Sequence, residues 1–174
     1  MNNISSSRDK FKMSFVRVIM AGVVSSVFFV AFIGASMAAS SVLNEFIVEG
    51  EYDDVRYDLE DAIVTQGLTV DHVSHVSDML QRTAGVIEGA KQIYVKGEQF
   101  QFCSAKLSRD AMQADPANIV FCPYMVFMYE RADAPGKIHI GYRKLNEIGS
   151  AKSIKALNAV NTLLKDIITE ASGN

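Results

Sequence analysis

The sequence predicts an α+β domain built on a mostly antiparallel sheet and preceded by an N-terminal signal or anchor helix. Three observations carry that expectation. Runs that alternate in polarity or are rich in β-branched residues are interleaved with segments whose apolar residues recur at helical spacing. Pro135-Gly136 stands between two such runs, in the central positions that a type II turn favours. At the front of the chain, Arg8, Lys10, Lys12 and Arg17 precede a run from Val18 to Ile33 without a charge.

A cleavable export signal joins a basic start, an apolar middle of about 7 to 15 residues and small residues at the cut. Ser36-Met37-Ala38 supplies the last of these. Val18 to Ala39 is also long enough to cross a hydrocarbon core, which takes about 20 residues. Residues 1–38 are therefore expected to be a signal peptide or an N-terminal membrane anchor, and residues 39–44 a short tether to a single domain over residues 45–172. In either case the basic flank stays in the cytoplasm. The domain is then periplasmic or otherwise extracytoplasmic, either exported or held to the inner membrane, and an uncleaved helix makes the membrane itself a partner.

The chain has 174 residues, 49% hydrophobic and 21% charged, which suits one compact domain behind the leader. Beyond residue 38 there are 13 Lys+Arg against 19 Asp+Glu, a net charge of −6. Nucleic acid is not an expected partner, because that binding relies on clustered cations neutralising phosphates. About 135 residues can bury a core without metal or disulfide staples.

From Glu45 to Gly50, Phe46 and Val48 alternate with charged neighbours as in a half-buried strand. A helix follows, with Asp53 or Asp54 as cap, Val55, Leu59, Ala62 and Ile63 on one face and Gly67 as the stop. The seven carboxylates from Glu49 to Asp61 lack the spacing of a calcium loop and read as a solvated face. Leu68 to Val76 is the second expected strand. Ser77 is the expected N-cap of a helix lined on one side by Met79, Leu80, Thr83, Val86 and Ile87.

Ile93 to Val95 and Phe100 to Phe102 read as strand pieces interrupted by Lys96-Gly97. Ser104 caps a short helix that Asp115-Pro116 ends, since the residue before proline avoids helical geometry. Ile119 to Tyr129 is apolar on both alternating faces and is expected to be a central strand covered on both sides. Ala134-Pro135-Gly136-Lys137 turns the chain into a hairpin. Ile138, Ile140 and Tyr142 then face the core and His139 points the other way. The last helix begins near Ser150 and runs to about Glu170, with Ile154, Leu157, Leu164 and Ile168 on its stripe.

Several segments together resemble a known family: Asp78-Met79-Leu80-Gln81-Arg82-Thr83 after His75, Phe102-Cys103-Ser104-Ala105, Leu107-Ser108-Arg109, Ala114-Asp115-Pro116 and Phe121-Cys122-Pro123-Tyr124. With Tyr129-Glu130 and Gly141-Tyr142-Arg143, the pattern is similar to the domain of unknown function 302 (DUF 302) family, from about Glu45 to Arg143 and the helix beyond. The resemblance implies a two-layer α+β fold with helices packed on the sheet, and association as a dimer. It implies no activity. Many members lack the two cysteines, so this chain falls in a cysteine-bearing branch.

Export puts Cys103 and Cys122 where disulfides persist, and a bridge is their leading reading. The loop of about 20 residues so closed is worth roughly 3 kcal/mol on the chain-entropy model. Two buried thiols, or a functional thiol or metal pair, are the alternatives. Ser104, Arg109 and Tyr124 are candidate ligand-binding residues, and Arg109 with Tyr124 suits an anion. His75 and Met79 offer a nitrogen and a thioether to copper or haem, but no CxxCH attachment site occurs. No HExxH, phosphate-binding glycine loop or paired Cys/His metal motif appears, and the sequence requires no cofactor. The expected function is a non-enzymatic extracytoplasmic accessory or binding domain that meets a small ligand, a second copy of itself or a membrane protein. The alternative is a redox or metal/haem-handling protein using Cys103 and Cys122 with His75 and Met79.

Overall fold

In a computed structural model, which describes residues 42–173, the alternating runs form one five-stranded sheet in the order β1-β5-β4-β3-β2. The strands are β1 (Leu43–Glu49), β2 (Val70–His75), β3 (Tyr94–Phe102), β4 (Tyr124–Arg131) and β5 (Ala134–Arg143), and every neighbouring pair is antiparallel. The expected signal or anchor over residues 1–38 and the first half of the tether lie outside the described residues. The strand itself starts at Leu43, two residues before the expected domain boundary.

Period-two side chains sort the sheet into two faces. Tyr124, Val126 and Met128 of β4 share one face with Phe100 and Phe102 of β3 and Ile138, Ile140 and Tyr142 of β5, all buried. Three helices close that face: α1 (Tyr52–Thr65), α3 (Ala105–Ala114) and α4 (Ala151–Ala171). Helix α1 contributes Val55, Leu59, Ala62 and Ile63, and α4 contributes Leu157, Val160, Leu164, Ile167 and Ile168. Each large aliphatic side chain so buried is worth about 1.5–3 kcal/mol. The result is the two-layer arrangement, helices on one side of the sheet. Helix α4 has 21 residues but an exposed polar face, and among the described residues no helix is long and apolar enough to cross a membrane.

Helix ends follow local chemistry. Ser104 accepts from the Leu107 amide, Ser150 from the Ser153 amide and Asp115 from the Ala117 amide, each satisfying an otherwise orphaned donor. At α1 the N-cap position is Glu51, which makes no side-chain cap bond, and Asp53 and Asp54 fall in the first turn instead of capping. Their charge still suits the helix N-terminus. Gly67 takes a left-handed φ of 71° just past α1. Buried Asn161 holds the approach to α4, donating to the Leu145 carbonyl at 3.0 Å and accepting from the Leu145 amide at 2.8 Å.

Five further expectations are corrected. The strand expected over Ile119–Tyr129 begins at Tyr124, because Pro116 starts a 3-10 turn that runs to Phe121. Buried Asn118 fixes that turn, donating to the Ala111 carbonyl at 2.9 Å and to Ser153 Oγ at 2.8 Å. The Cys122–Pro123 peptide is cis. Lys96-Gly97 does not interrupt β3; a register shift between Tyr94 and Lys96 absorbs it. The β4–β5 hairpin turns at Ala132-Asp133, and Pro135 and Gly136 lie within β5. Strand β4 is the middle strand, but only one of its faces is buried; Met125, Phe127 and Tyr129 are half-buried.

The fifth correction is the largest. Helix α2 (Val76–Thr83) is short, His75 occupies its N-cap position, and Ser77 lies inside it as its one buried residue. Met79, Val86 and Ile87 are exposed instead of lining a core. Thr83 donates its hydroxyl back to the Met79 and Leu80 carbonyls and Gly85 follows, so the helix gives way to a 3-10 turn over Ala84–Val86.

Candidate functional site

Three groups of side chains stand out, and the first is the cysteine pair. Cys103 follows the end of β3 and Cys122 follows the 3-10 turn, and the two sulfurs lie 3.0 Å apart as free thiols. Ser108, one turn into α3, has its Oγ 3.3 Å from Cys122 Sγ and donates to the Tyr124 hydroxyl at 3.0 Å. With that proton committed to Tyr124, the Ser108 oxygen can accept from Cys122. Burial, then the bond to Cys122, push the Cys103 thiol up to about 11. At neutral pH such a thiol holds little of the thiolate that thiol chemistry requires.

Of the three candidate ligand-binding residues, Tyr124 belongs to this cluster but is only 3% exposed. Burial raises its phenol. Ser104 spends its side chain capping α3. Arg109 is exposed and makes no hydrogen bond or ion pair in this group. From the sequence Ser108 was a serine without a histidine or acid partner, within the Leu107-Ser108-Arg109 segment of the resemblance; its place one turn past the cap and facing Cys122 needed the fold.

The second group centres on Glu98, a largely buried carboxylate on β3. His75 Nδ1 lies 2.6 Å from its Oε1, and its Oε2 accepts from Arg56 Nε at 2.9 Å and the Tyr52 hydroxyl at 3.4 Å. Burial, then Glu98, raise the Tyr52 phenol. This group ties α1 to β3 and to the start of α2. His75 is thus held by Glu98, and Met79 is half-exposed one turn along α2. Among the described residues no three or more His, Cys, Asp or Glu side chains are grouped to hold a metal ion.

The third group was missed in the sequence. Between α2, the chain over residues 84–93 and the start of β3 is a cavity of about 500 Å³, with Leu80, Ala84, Ile87, Ile93 and Tyr94 as its apolar walls. Drug-sized ligands occupy cavities of about 300–1,000 Å³ with walls of this character. Tyr94 also borders two shallower hollows on the uncovered face of the sheet, which Tyr129 lines with it. There the Tyr94 and Tyr129 ring centroids are 5.3 Å apart with planes at 58°, and Phe127 stacks 6.0 Å from Tyr129.

Beneath Tyr129 lies His139, its ring parallel at 4.5 Å and 6°. His139 does point away from the core, yet it is only 9% exposed because Tyr129 covers it. The Tyr129 hydroxyl donates to Glu45 Oε1 at 2.6 Å. His139 Nδ1 is 3.4 Å from the same oxygen without hydrogen-bond geometry, and it has no other partner. The signal for this group was present as Tyr94, Phe127 and Tyr129, but no local pattern says that their face stays open.

A five-stranded antiparallel sheet covered on one side by three helices, with a thiol pair at one end and an apolar cavity at an edge, defines a small two-layer α+β domain. The profile of the family described as "Domain of unknown function DUF302" matches residues 45–171, and the chain belongs to that family. A crystal structure of an uncharacterized conserved protein DUF302 from Bacillus stearothermophilus has the same fold, with a TM-score of 0.63 at 13% identity over 75% of this chain and 98% of that one. No curated protein matches the chain.

Proposed function

We propose that this is a non-enzymatic binding domain working outside the cytoplasm, and that its ligand is an apolar small molecule held in the cavity beneath α2. The observation that carries the reading is the cavity itself, about 500 Å³ with Leu80, Ile87, Ile93 and Tyr94 in its walls. Aliphatic and aromatic walls favour burial of an apolar solute by about 25 cal/mol per Å² removed from water. The basic-then-apolar N-terminal sequence supports the location.

In that compartment Cys103 and Cys122 close into a structural disulfide, their two protons and two electrons leaving to a disulfide donor of the compartment. The 3.0 Å sulfur separation supports a bridge. The test of the binding reading is titration with N-phenyl-1-naphthylamine, a neutral apolar fluorophore. Saturable enhancement that Ile87→Glu removes is expected, and no enhancement, or one that Ile87→Glu leaves unchanged, overturns it.

A further inference from the structure

We propose that the end of the sheet at which β1 begins is a membrane-docking surface, with the 3-10 turn before β4 entering the interface of an anionic bilayer. Such docking rests on the N-terminal run being retained as an anchor and is independent of what the cavity holds. Strand registers define the end. Leu43 pairs with Arg143, Phe102 with Tyr124 and Val70 with Phe102, so the starts of β1, β2 and β4 lie beside the ends of β3 and β5. The charge-free sequence closes at Ala39 and the described chain opens at Val42, a gap that extended chain spans with no more than about 11 Å. A tether that short keeps this end of the domain at the bilayer surface.

Exposed apolar side chains mark the same end. Ile119 and Val120, 62% and 71% exposed, project from the 3-10 turn over Pro116–Phe121 that leads into β4. Val42 and Ile148 are half-exposed, one ahead of β1 and the other ahead of α4. The turn is pinned from beneath by buried Asn118, which donates to the Ala111 carbonyl and to Ser153 Oγ. Two adjacent aliphatic side chains are thus held in water on a fixed backbone, where they add little to the core. Side chains of this kind gain by entering the headgroup and acyl boundary of a bilayer.

Charge separates this end from the other. Lys106 pairs with Asp110 and Lys144 with Glu147, and Asp115 is spent on the Ala117 amide. Arg109, Arg143 and Lys152 are exposed and make no ion pair among the described residues, with Asp71 as an opposing exposed carboxylate. Glu49, Glu51, Asp53 and Asp54 gather instead where β1 gives way to α1, at the opposite end of the sheet. A domain of net charge −6 beyond residue 38 therefore turns unpaired cations toward the tether and an acidic edge away from it. Each basic residue near an anionic surface strengthens association about fivefold, and buried apolar area adds to it. Tyr94 and the cavity lie at the far end, beside Arg131, so docking leaves the cavity open to the compartment.

The chain has no tryptophan, so one introduced residue reports alone. The full chain is reconstituted into vesicles of phosphatidylcholine and phosphatidylglycerol whose acyl chains carry bromine, which quenches tryptophan on contact. Val120→Trp, and Ile119→Trp as a second reporter, are expected to be quenched severalfold more than Val86→Trp, an 87% exposed apolar position beside the cavity. Arg109→Glu combined with Arg143→Glu, or vesicles of phosphatidylcholine alone, should remove most of that difference. Equal quenching at the two ends, none at either, or a difference that ignores both changes of charge overturns the inference. Release of the full chain from the vesicles by alkaline carbonate overturns the anchor and the docking together, and leaves the cavity reading to its own fluorophore titration.

Discussion

The two faces of the sheet are built from similar residues and used in opposite ways. On the covered face, Tyr124, Val126 and Met128 are 3%, 0% and 1% exposed under α1, α3 and α4, while Met125, Phe127 and Tyr129 on the same strand stay half-buried. The edge beside the open face is looser still, since α2 buries only Ser77 and leaves Val86 87% exposed beyond its end. Stability is thus concentrated in one layer. The cavity lies outside it, where side chains can meet a ligand without dismantling the core.

Leu164→Ala gives the largest effect and the most direct way to break this contrast. Leu164 is 0% exposed in the centre of α4, and its truncation is expected to cost about 2–5 kcal/mol in chemical denaturation. A cost below about 1 kcal/mol would mean that the helical layer is not where the stability resides.

Gly141→Ala tests whether the open face is loose everywhere. A Cβ at Gly141 would collide with the Asn44 carbonyl oxygen and stand 2.7 Å from Phe127 Cζ, so either β1 moves away from β5 or the Phe127 ring leaves its place. Overpacking of this kind costs about 1–3 kcal/mol. The expected signature is a lowered denaturation midpoint with disturbed Phe127 and Tyr129 ring signals. A neutral outcome would extend the looseness of α2 across the whole face. Strong destabilisation would confine it to the edge.

Much of the covered layer was legible because burial on one side writes a period into the chain. Val55, Leu59, Ala62 and Ile63 carry the 3.6-residue period, Ile138, Ile140 and Tyr142 the period of two, and both sets are buried as expected. The sequence resemblance also pointed to the family that the comparisons establish. What failed has a common cause. Periodicity separates two faces but does not state which one other elements cover, so β4 was expected to be enclosed on both sides and the stripe of Met79, Val86 and Ile87 to reach a core. His139 was assigned to the correct side, yet its burial depends on Tyr129, Glu45 and the register Tyr129↔His139, which only the assembled sheet supplies. Cys103 and Cys122 could be paired in principle from their spacing; that Ser108 and Tyr124 complete their surroundings depends on how α3 sits against the start of β4.

The smallest predicted effect sharpens the contrast most. Ile87 is 56% exposed and touches the cavity from the chain beyond α2, so Ile87→Ala removes little buried surface and should change folding stability by less than about 0.5 kcal/mol. The same truncation strips an aliphatic wall from the site and should weaken an apolar ligand severalfold, since each buried methylene contributes about 0.8 kcal/mol. Set beside Leu164→Ala, it separates two uses of an aliphatic side chain within one small domain. Denaturation and ligand titration on the same pair of variants read them independently. If Ile87→Ala instead destabilised the fold by more than about 1 kcal/mol without altering ligand affinity, the chain beyond α2 would be part of the scaffold, and the cavity beneath it a packing gap instead of a site.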